Sequence, residues 1–359
     1  MTPAPAEPIL ASTLWRLHRA DQEAPPSNPA SRPNKLPTGL RGLDGALQGG
    51  FDYSGISCIS AEPNSGARDI ILAALVSHLL HAPSATAAVI DTTLSFDLRR
   101  LHGKLARALR LRGRDAREAM AVLERLQIMK VFDFVGLAES VVEVREGLER
   151  GGTASPALGT EQVAPRGTIG DSEDEDEDEM LDAPPTRPSK PTSPAPQEIP
   201  NDTPTPALLI IDSLSQLAAP LIKSNHIQGQ ALLTSLLRSL SHLTQTHHHL
   251  CTLLLNGTTT YPPAKLEEPP SIFSSCALHP ALGRTFAYLL DVHLLVHAVP
   301  KTAGDARRVY DGGKLEGGKD ERCAEVVEVV EVLLDRGGGR VGKWTGFVVD
   351  ADGELADVH

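Results

Sequence analysis

The chain has 359 residues, 41% of them apolar and only 4% aromatic, with a formal charge of −12 at neutral pH. Its Leu, Val, Ile and Ala supply one sizeable core, its four cysteines lack the C-x-x-C spacing of a zinc site, and no run reaches the ~20 apolar residues of a membrane span. Nine negative charges fall between Asp171 and Asp182, so the rest carries about −3, a charge that neither demands nor forbids a DNA partner.

Residues 1–35 are rich in Pro, Ala and Ser. They hold one amphipathic helical stretch, Ile9 to Ala20, with Leu10, Leu14, Trp15 and Leu17, which reads as an arm docking on the domain or on a partner. Met1 to Pro8 has neither a basic start nor an apolar run, so the expected location is cytosol or nucleus. From Leu36 to Arg150 strands and helices alternate. Phe51 to Ser60 reads as a strand, Ala67 to His81 as a helix and Ala85 to Asp91 as a buried strand. Phe96 to Arg117 is predicted as one helix, Leu126 to Val131 as a strand and Gly136 to Arg150 as a helix.

The stretch 151–206 breaks this alternation with Gly, Pro, Ser, Thr and the acidic run. Such a composition buries too little apolar surface to offset its ordering entropy, and a disordered insertion is expected. Alternation resumes with the strand Ala207 to Ser213, the helix Gln228 to Thr246 and the strand Leu250 to Asn256. Leu289 to His297, Ala324 to Leu334 and Trp344 to Val349 read as further strands, and 351–359 as a tail. The expectation is therefore one α/β domain in two halves, 36–150 and 207–350, with a mainly parallel sheet covered by helices on both faces.

Ser57 to Asp69 has the outline of a phosphate-binding loop, G-x-x-x-x-G-K-[ST], in which backbone N–H groups cradle phosphates, Lys reaches the β/γ oxygens and the hydroxyl holds Mg²⁺. Ser65 and Gly66 remain, but Ala61 replaces the first Gly, Ala67 the Lys and Arg68 the Ser/Thr. Asp212 ends an apolar strand, where a second carboxylate would hold the metal or its water shell; alone, such an Asp reads as a cap. Ser65, Gly66, Arg68 and Asp212 thus outline a vestigial nucleotide site. No bound cofactor is expected, with ATP and Mg²⁺ as the disfavoured alternative, and no residue is assigned a catalytic role.

Leu36 to Phe51, which contains Thr38-Gly39, Leu43-Asp44 and Gly49-Gly50, resembles the segment that precedes the ATP loop in RecA-family recombinases. Leu126 to Phe134 resembles their third-strand motif, and Pro280-Ala281-Leu282-Gly283-Arg284 the stretch after their second DNA-binding loop. Over residues 36–150 and 207–350 the chain is similar to the D-type paralogues of the eukaryotic strand-exchange recombinase, fungal members included, with a degenerate Walker A loop. The resemblance implies a RecA-like P-loop NTPase core. It also places Thr93 where active members carry the glutamate that orients the attacking water, so a second part of the hydrolytic apparatus is absent.

By the same resemblance, the segment between Asn256 and Arg284 corresponds to a DNA-binding loop. Its only cations are Lys265 and Arg284, opposed by Glu267 and Glu268. The basic stretch Arg99 to Arg114, with Arg99, Arg100 and Lys104, reads as a solvated helix face or as a nucleic-acid patch, on which the acidic run would fold back and compete with DNA. Ser172, just before consecutive acids, suits an acid-directed kinase; a solubilising spacer is the plainer reading. His247-His248-His249 reads as a helix-to-strand corner, since adjacent side chains on a strand point apart.

The resemblance implies an accessory subunit in homologous recombination and double-strand break repair. Such a subunit would join other recombinase paralogues and support the recombinase filament on single-stranded DNA in the nucleus. Leu10, Leu14, Trp15 and the loop around Phe51 to Tyr53 are the candidate contact surface. One alternative is a weak DNA-dependent ATPase of the same family. Another is a RecA-like scaffold subunit of an Elongator-type tRNA-modifying complex, which also lacks the loop Lys.

Overall fold

The computed structural model describes residues 35–151, 205–260, 271–302, 304–306, 325–350 and 353–358. The arm with Ile9 to Ala20, the acidic insertion with Ser172, and Lys265 lie outside the described residues.

The chain opens with β1 (Lys35–Leu36), α1 (Arg41–Ala46), β2 (Phe51–Asp52) and β3 (Ile56–Ala61). Then come α2 (Ala67–His81), β4 (Thr86–Asp91), α3 (Leu98–Leu111), α4 (Glu118–Leu123), β5 (Leu126–Lys130) and α5 (Phe134–Gly151). After the insertion follow β6 (Ala207–Asp212), α6 (Leu214–Ser224), α7 (His226–Thr246), β7 (Leu250–Asn256), β8 (Thr258–Thr260) and β9 (Leu278–Pro280). The last elements are α8 (Gly283–Ala287), β10 (Val292–Pro300), β11 (Val326–Asp335), β12 (Trp344–Val349) and β13 (Leu355–Asp357).

Among the described residues nine strands form one sheet in the order β13-β12-β11-β10-β3-β7-β6-β4-β5. From β10 to β5 all neighbours are parallel, whereas β10 to β13 run as an antiparallel meander. The parallel strands β3, β6 and β7 are buried along their whole length, which is why they are mainly apolar and hold only small or uncharged polar residues before Asp212 at the end of β6. On one face α2, α3 and α4 pack a core through Ile70, Leu75, Leu79, Leu101, Leu105 and Leu109. On the other, α5, α6, α7 and α8 pack a second core through Leu137, Val141, Leu214, Leu237, Leu240 and Phe286. The i, i+4, i+8 spacing of Leu101, Leu105 and Leu109 turns the arginines of α3 outward.

Several predicted elements are divided. Phe51 to Ser60 is two strands, because Ser54 turns the backbone at φ 63°. The helix predicted through Arg117 ends at Leu111, where Gly113 at φ 71° supplies the left-handed residue that stops a helix, and α4 follows separately. Helix α6 has no counterpart in the sequence reading; Pro220 in its interior obscured it. Residues 355–357 are not a tail but the edge strand of the sheet. Asp357 there accepts hydrogen bonds from the Arg41 and Gly42 N–H groups at 3.1 and 2.9 Å, so it satisfies the exposed start of α1.

Candidate functional site

The Thr38-to-Gly50 pattern has a structural explanation. Asp44 accepts from the Thr38 N–H, the Thr38 hydroxyl and the Gly39 N–H at 2.7, 2.8 and 3.1 Å, tying the segment into a closed turn. Gly39 has φ 86° and Gly50 φ 121°, and a Cβ on Gly50 would lie 2.1 Å from the Leu36 carbonyl oxygen. Leu36, Leu40, Leu43 and Leu47 beneath are almost fully buried. These residues therefore brace the strand that leads into the phosphate-type loop.

That loop leaves β3 at Ala61 and enters α2, with Ser65 held by two bonds to the Glu62 carbonyl, 3.1 Å from its N–H and 2.8 Å from its hydroxyl. At Gly66 the N–H donates to Glu328 Oε2 at 2.6 Å. Glu328 projects from β11, and a carboxylate thus stands where a working loop would place a phosphate oxygen. Burial pushes the Glu328 carboxyl above the usual range, against the opposing pull of the Gly66 N–H. The loop is also covered sterically: a Cβ on Gly66 would lie 2.7 Å from both Phe347 Cε2 and Val349 Cγ2 of β12.

Register places Asp91 and Asp212 opposite one another at the carboxyl ends of β4 and β6, beside the loop strand's end of the sheet where open α/β folds bind ligands. Each carboxylate already has partners. Arg68, in the first turn of α2, sets Nε 3.0 Å from Asp212 Oδ2 and a terminal nitrogen 3.3 Å from Oδ1. The same nitrogen donates to Thr93 Oγ1 at 3.1 Å. Burial raises the Asp212 carboxyl and Arg68 opposes that rise. Asp91 accepts from the Thr93 N–H and hydroxyl at 3.1 and 3.0 Å and from the Phe96 N–H at 3.0 Å, so its own loop saturates it. Deeper in, Ser60 Oγ lies 2.7 Å from His293 Nε2 and accepts from Asn256 Nδ2 at 3.0 Å. Burial lowers His293 to about 4, so it is neutral at physiological pH.

These residues do not fit ATP and Mg²⁺. Ala67 offers no ammonium, Arg68 puts a cation on the carboxylate that a metal would need, and Glu328 takes the Gly66 N–H. Of the four predicted nucleotide-site residues the fold does bring Gly66, Arg68 and Asp212 to one place, with Ser65 shaping the turn before them. Sequence reasoning missed Glu328; its signal was a carboxylate inside the apolar run Val326 to Leu334, and only tertiary structure gives that residue its target.

The basic stretch on α3 is largely neutralised from within. Arg100 pairs with Asp69 at 2.7 Å. Lys104 is not a surface cation: it is 8% exposed, donates to the Gly353 carbonyl and stands 3.8 Å from Glu354, which Arg107 also approaches at 3.9 Å. Arg99 remains exposed. Arg284 lies in α8. Phe51 and Tyr53 are buried in the core, which corrects their assignment to a contact surface; the Tyr53 hydroxyl bonds His78 Nδ1 at 2.9 Å. His247 and His249 meet edge to face with ring centroids 5.7 Å apart at the turn into β7. Among the described residues no group of three or more His, Cys, Asp or Glu side chains is placed to hold a metal.

No family model matches the chain, and no curated protein matches it. Among solved structures it is similar to one described as the crystal structure of the RadB recombinase, with 17% identity and a TM-score of 0.51. That match covers 90% of this chain and 100% of the other. Likeness at this identity speaks of architecture, and together with the strand order and the helices on both faces it gives the chain a RecA-like recombinase fold.

Proposed function

We propose that the chain is a non-hydrolysing accessory subunit of homologous recombination, closest in kind to the D-type recombinase paralogues. In this reading it joins other paralogues in the nucleus and supports the recombinase filament on single-stranded DNA as part of that complex. The observation that carries the reading is the Arg68 bridge from Asp212 to Thr93, which fills the metal and water-activating positions with the chain's own side chains. A RecA-like fold without room for the reaction retains the loop faces by which such subunits meet, and those faces become protein surface.

Two measurements test this. In a fluorescent-nucleotide titration the expected result is no saturable binding; micromolar binding abolished by Asp212→Ala would establish the ATPase alternative instead. Affinity capture of the full chain is expected to bring down recombinase paralogues, and recovery of Elongator-type subunits in their place would replace the proposal.

A further inference from the structure

A groove of about 890 Å³ runs between α5 and α7 on the face away from the phosphate-type loop's helix α2. Its walls are apolar and open to solvent: Val135 is 66% exposed, Val142 40% and Leu232 38%. Arg145, Arg238 and His242 stand along it, and no carboxylate lines it among the described residues. Among the described residues Arg145 has only Glu149 at 4.0 Å, a half-exposed surface pair of little strength, and Arg238 makes no ion pair. Gln230 also lines the groove, and its Oε1 is buried without a hydrogen-bond partner among those residues. Apolar walls, unopposed cations and an unanswered acceptor together describe a surface that lacks its cover.

We propose that this groove is the seat of the chain's own acidic segment, Asp171 to Asp182, with Met180 and Leu181 against the apolar walls and the carboxylates beside Arg145 and Arg238. Helix α5, one wall of the groove, ends at Gly151, where the described chain breaks off until residue 205. The twenty residues from Gly151 to Asp171 can span up to roughly 66 Å, more than twice the roughly 27 Å length of α5, so the tether reaches every part of the groove. Tethering at this distance gives an effective concentration on the order of millimolar, enough for a contact too weak to form between separate molecules. Charge points the same way. The segment carries eight acids, then an apolar pair and a ninth acid, while the groove offers cations around an apolar floor. The basic helix α3 is the poorer seat, because Arg100, Lys104 and Arg107 already face Asp69 and Glu354.

Amide hydrogen exchange on the full chain tests this against a variant in which Asp171 to Asp182 is replaced by Gly-Ser of equal length. Exchange in 134–145 and 230–242 is expected to rise severalfold in the variant. A synthetic peptide spanning 168–184, added at millimolar concentration to match the effective concentration of the tether, should restore protection at low salt, and Arg145→Glu with Arg238→Glu should abolish that restoration. Val142→Glu in the otherwise natural chain, which puts a like charge on the apolar wall, should raise exchange in 230–242 by a similar factor, which keeps the test valid if the replaced chain misbehaves. Unchanged exchange in the replaced chain would overturn the proposal. So would protection that instead depends on protein concentration, since a second copy would then be the occupant.

Discussion

Arg68 and Asp212 meet side on, guanidinium against carboxylate, with Nε 3.0 Å from Oδ2 and a terminal nitrogen 3.3 Å from Oδ1. Asp212 is 5% exposed, so Arg68→Ala leaves a buried carboxylate without a cation and is expected to cost about 2 kcal/mol in urea unfolding. Arg68→Ala combined with Asp212→Asn should recover most of that loss, and a coupling energy near zero in the double-mutant cycle would show the pair to be incidental.

Restoring the loop's chemistry requires removing its internal occupants. Ala67→Lys with Arg68→Thr is expected to bind fluorescent nucleotide weakly or not at all, because Glu328 still holds the Gly66 N–H. Adding Glu328→Ala should strengthen binding at least tenfold, about 1.4 kcal/mol. Phosphate release should remain at background in all three proteins, since Thr93 carries no carboxylate to orient water.

Three glycine substitutions should separate by sign. Gly66→Ala forces a methyl group 2.7 Å from Phe347 and Val349 and is expected to cost about 1–3 kcal/mol. Gly50→Ala should be worse, since it combines φ 121° with a backbone oxygen 2.1 Å away. Gly103→Ala, exposed within α3 and with nothing within 4 Å of the added carbon, should stabilise by about 1 kcal/mol. Thermal unfolding of the three variants checks the order.

Acid should weaken the fold through His78. Its Nε2 bonds the Thr86 carbonyl at 2.8 Å and its Nδ1 meets the Tyr53 hydroxyl, and burial lowers it to about 4 from 6.5. A depressed folded-state value means that the unfolded chain takes up the proton first. Stability is full above about 6.5 and falls as pH drops toward 4, by about 3 kcal/mol for this group. Urea midpoints between pH 7 and pH 4 should fall less steeply in His78→Gln; an identical slope would remove His78 as a cause.

At the opposite end of the scale, Asp335 is held below the usual carboxylate range by the Arg340 guanidinium at 2.6 Å. Its contribution is present above the ordinary aspartate range and disappears only as pH falls through the depressed value, so Asp335→Asn should cost stability at pH 7 and progressively less in stronger acid.

The alternation of buried strands and helices was legible because β3, β6 and β7 are covered on both faces and so carry no charged residue before the Asp212 that ends β6. The loop's missing Lys and hydroxyl were equally plain. What occupies their place was not. Glu328 lies 262 positions beyond Gly66, and the residue's meaning depends on the meander folding back beside β3. Lys104 misled for a related reason: the sequence shows a cation among cations on α3, but the Gly353 carbonyl that it bonds, in the turn before β13, comes 249 residues later. Patterns of period 2 or 3.6 report which face is inward and say nothing of which distant partner awaits there.

The bonds from Arg41 and Gly42 to Asp357 span sequence separations of 316 and 315 residues. A chain emerging from the ribosome can close the parallel strands early, yet its first helix lacks its capping carboxylate until Asp357 has emerged. The start of α1 is therefore completed only once the last strand of the sheet is in place, and a substitution that breaks only β13 would be felt at residue 41.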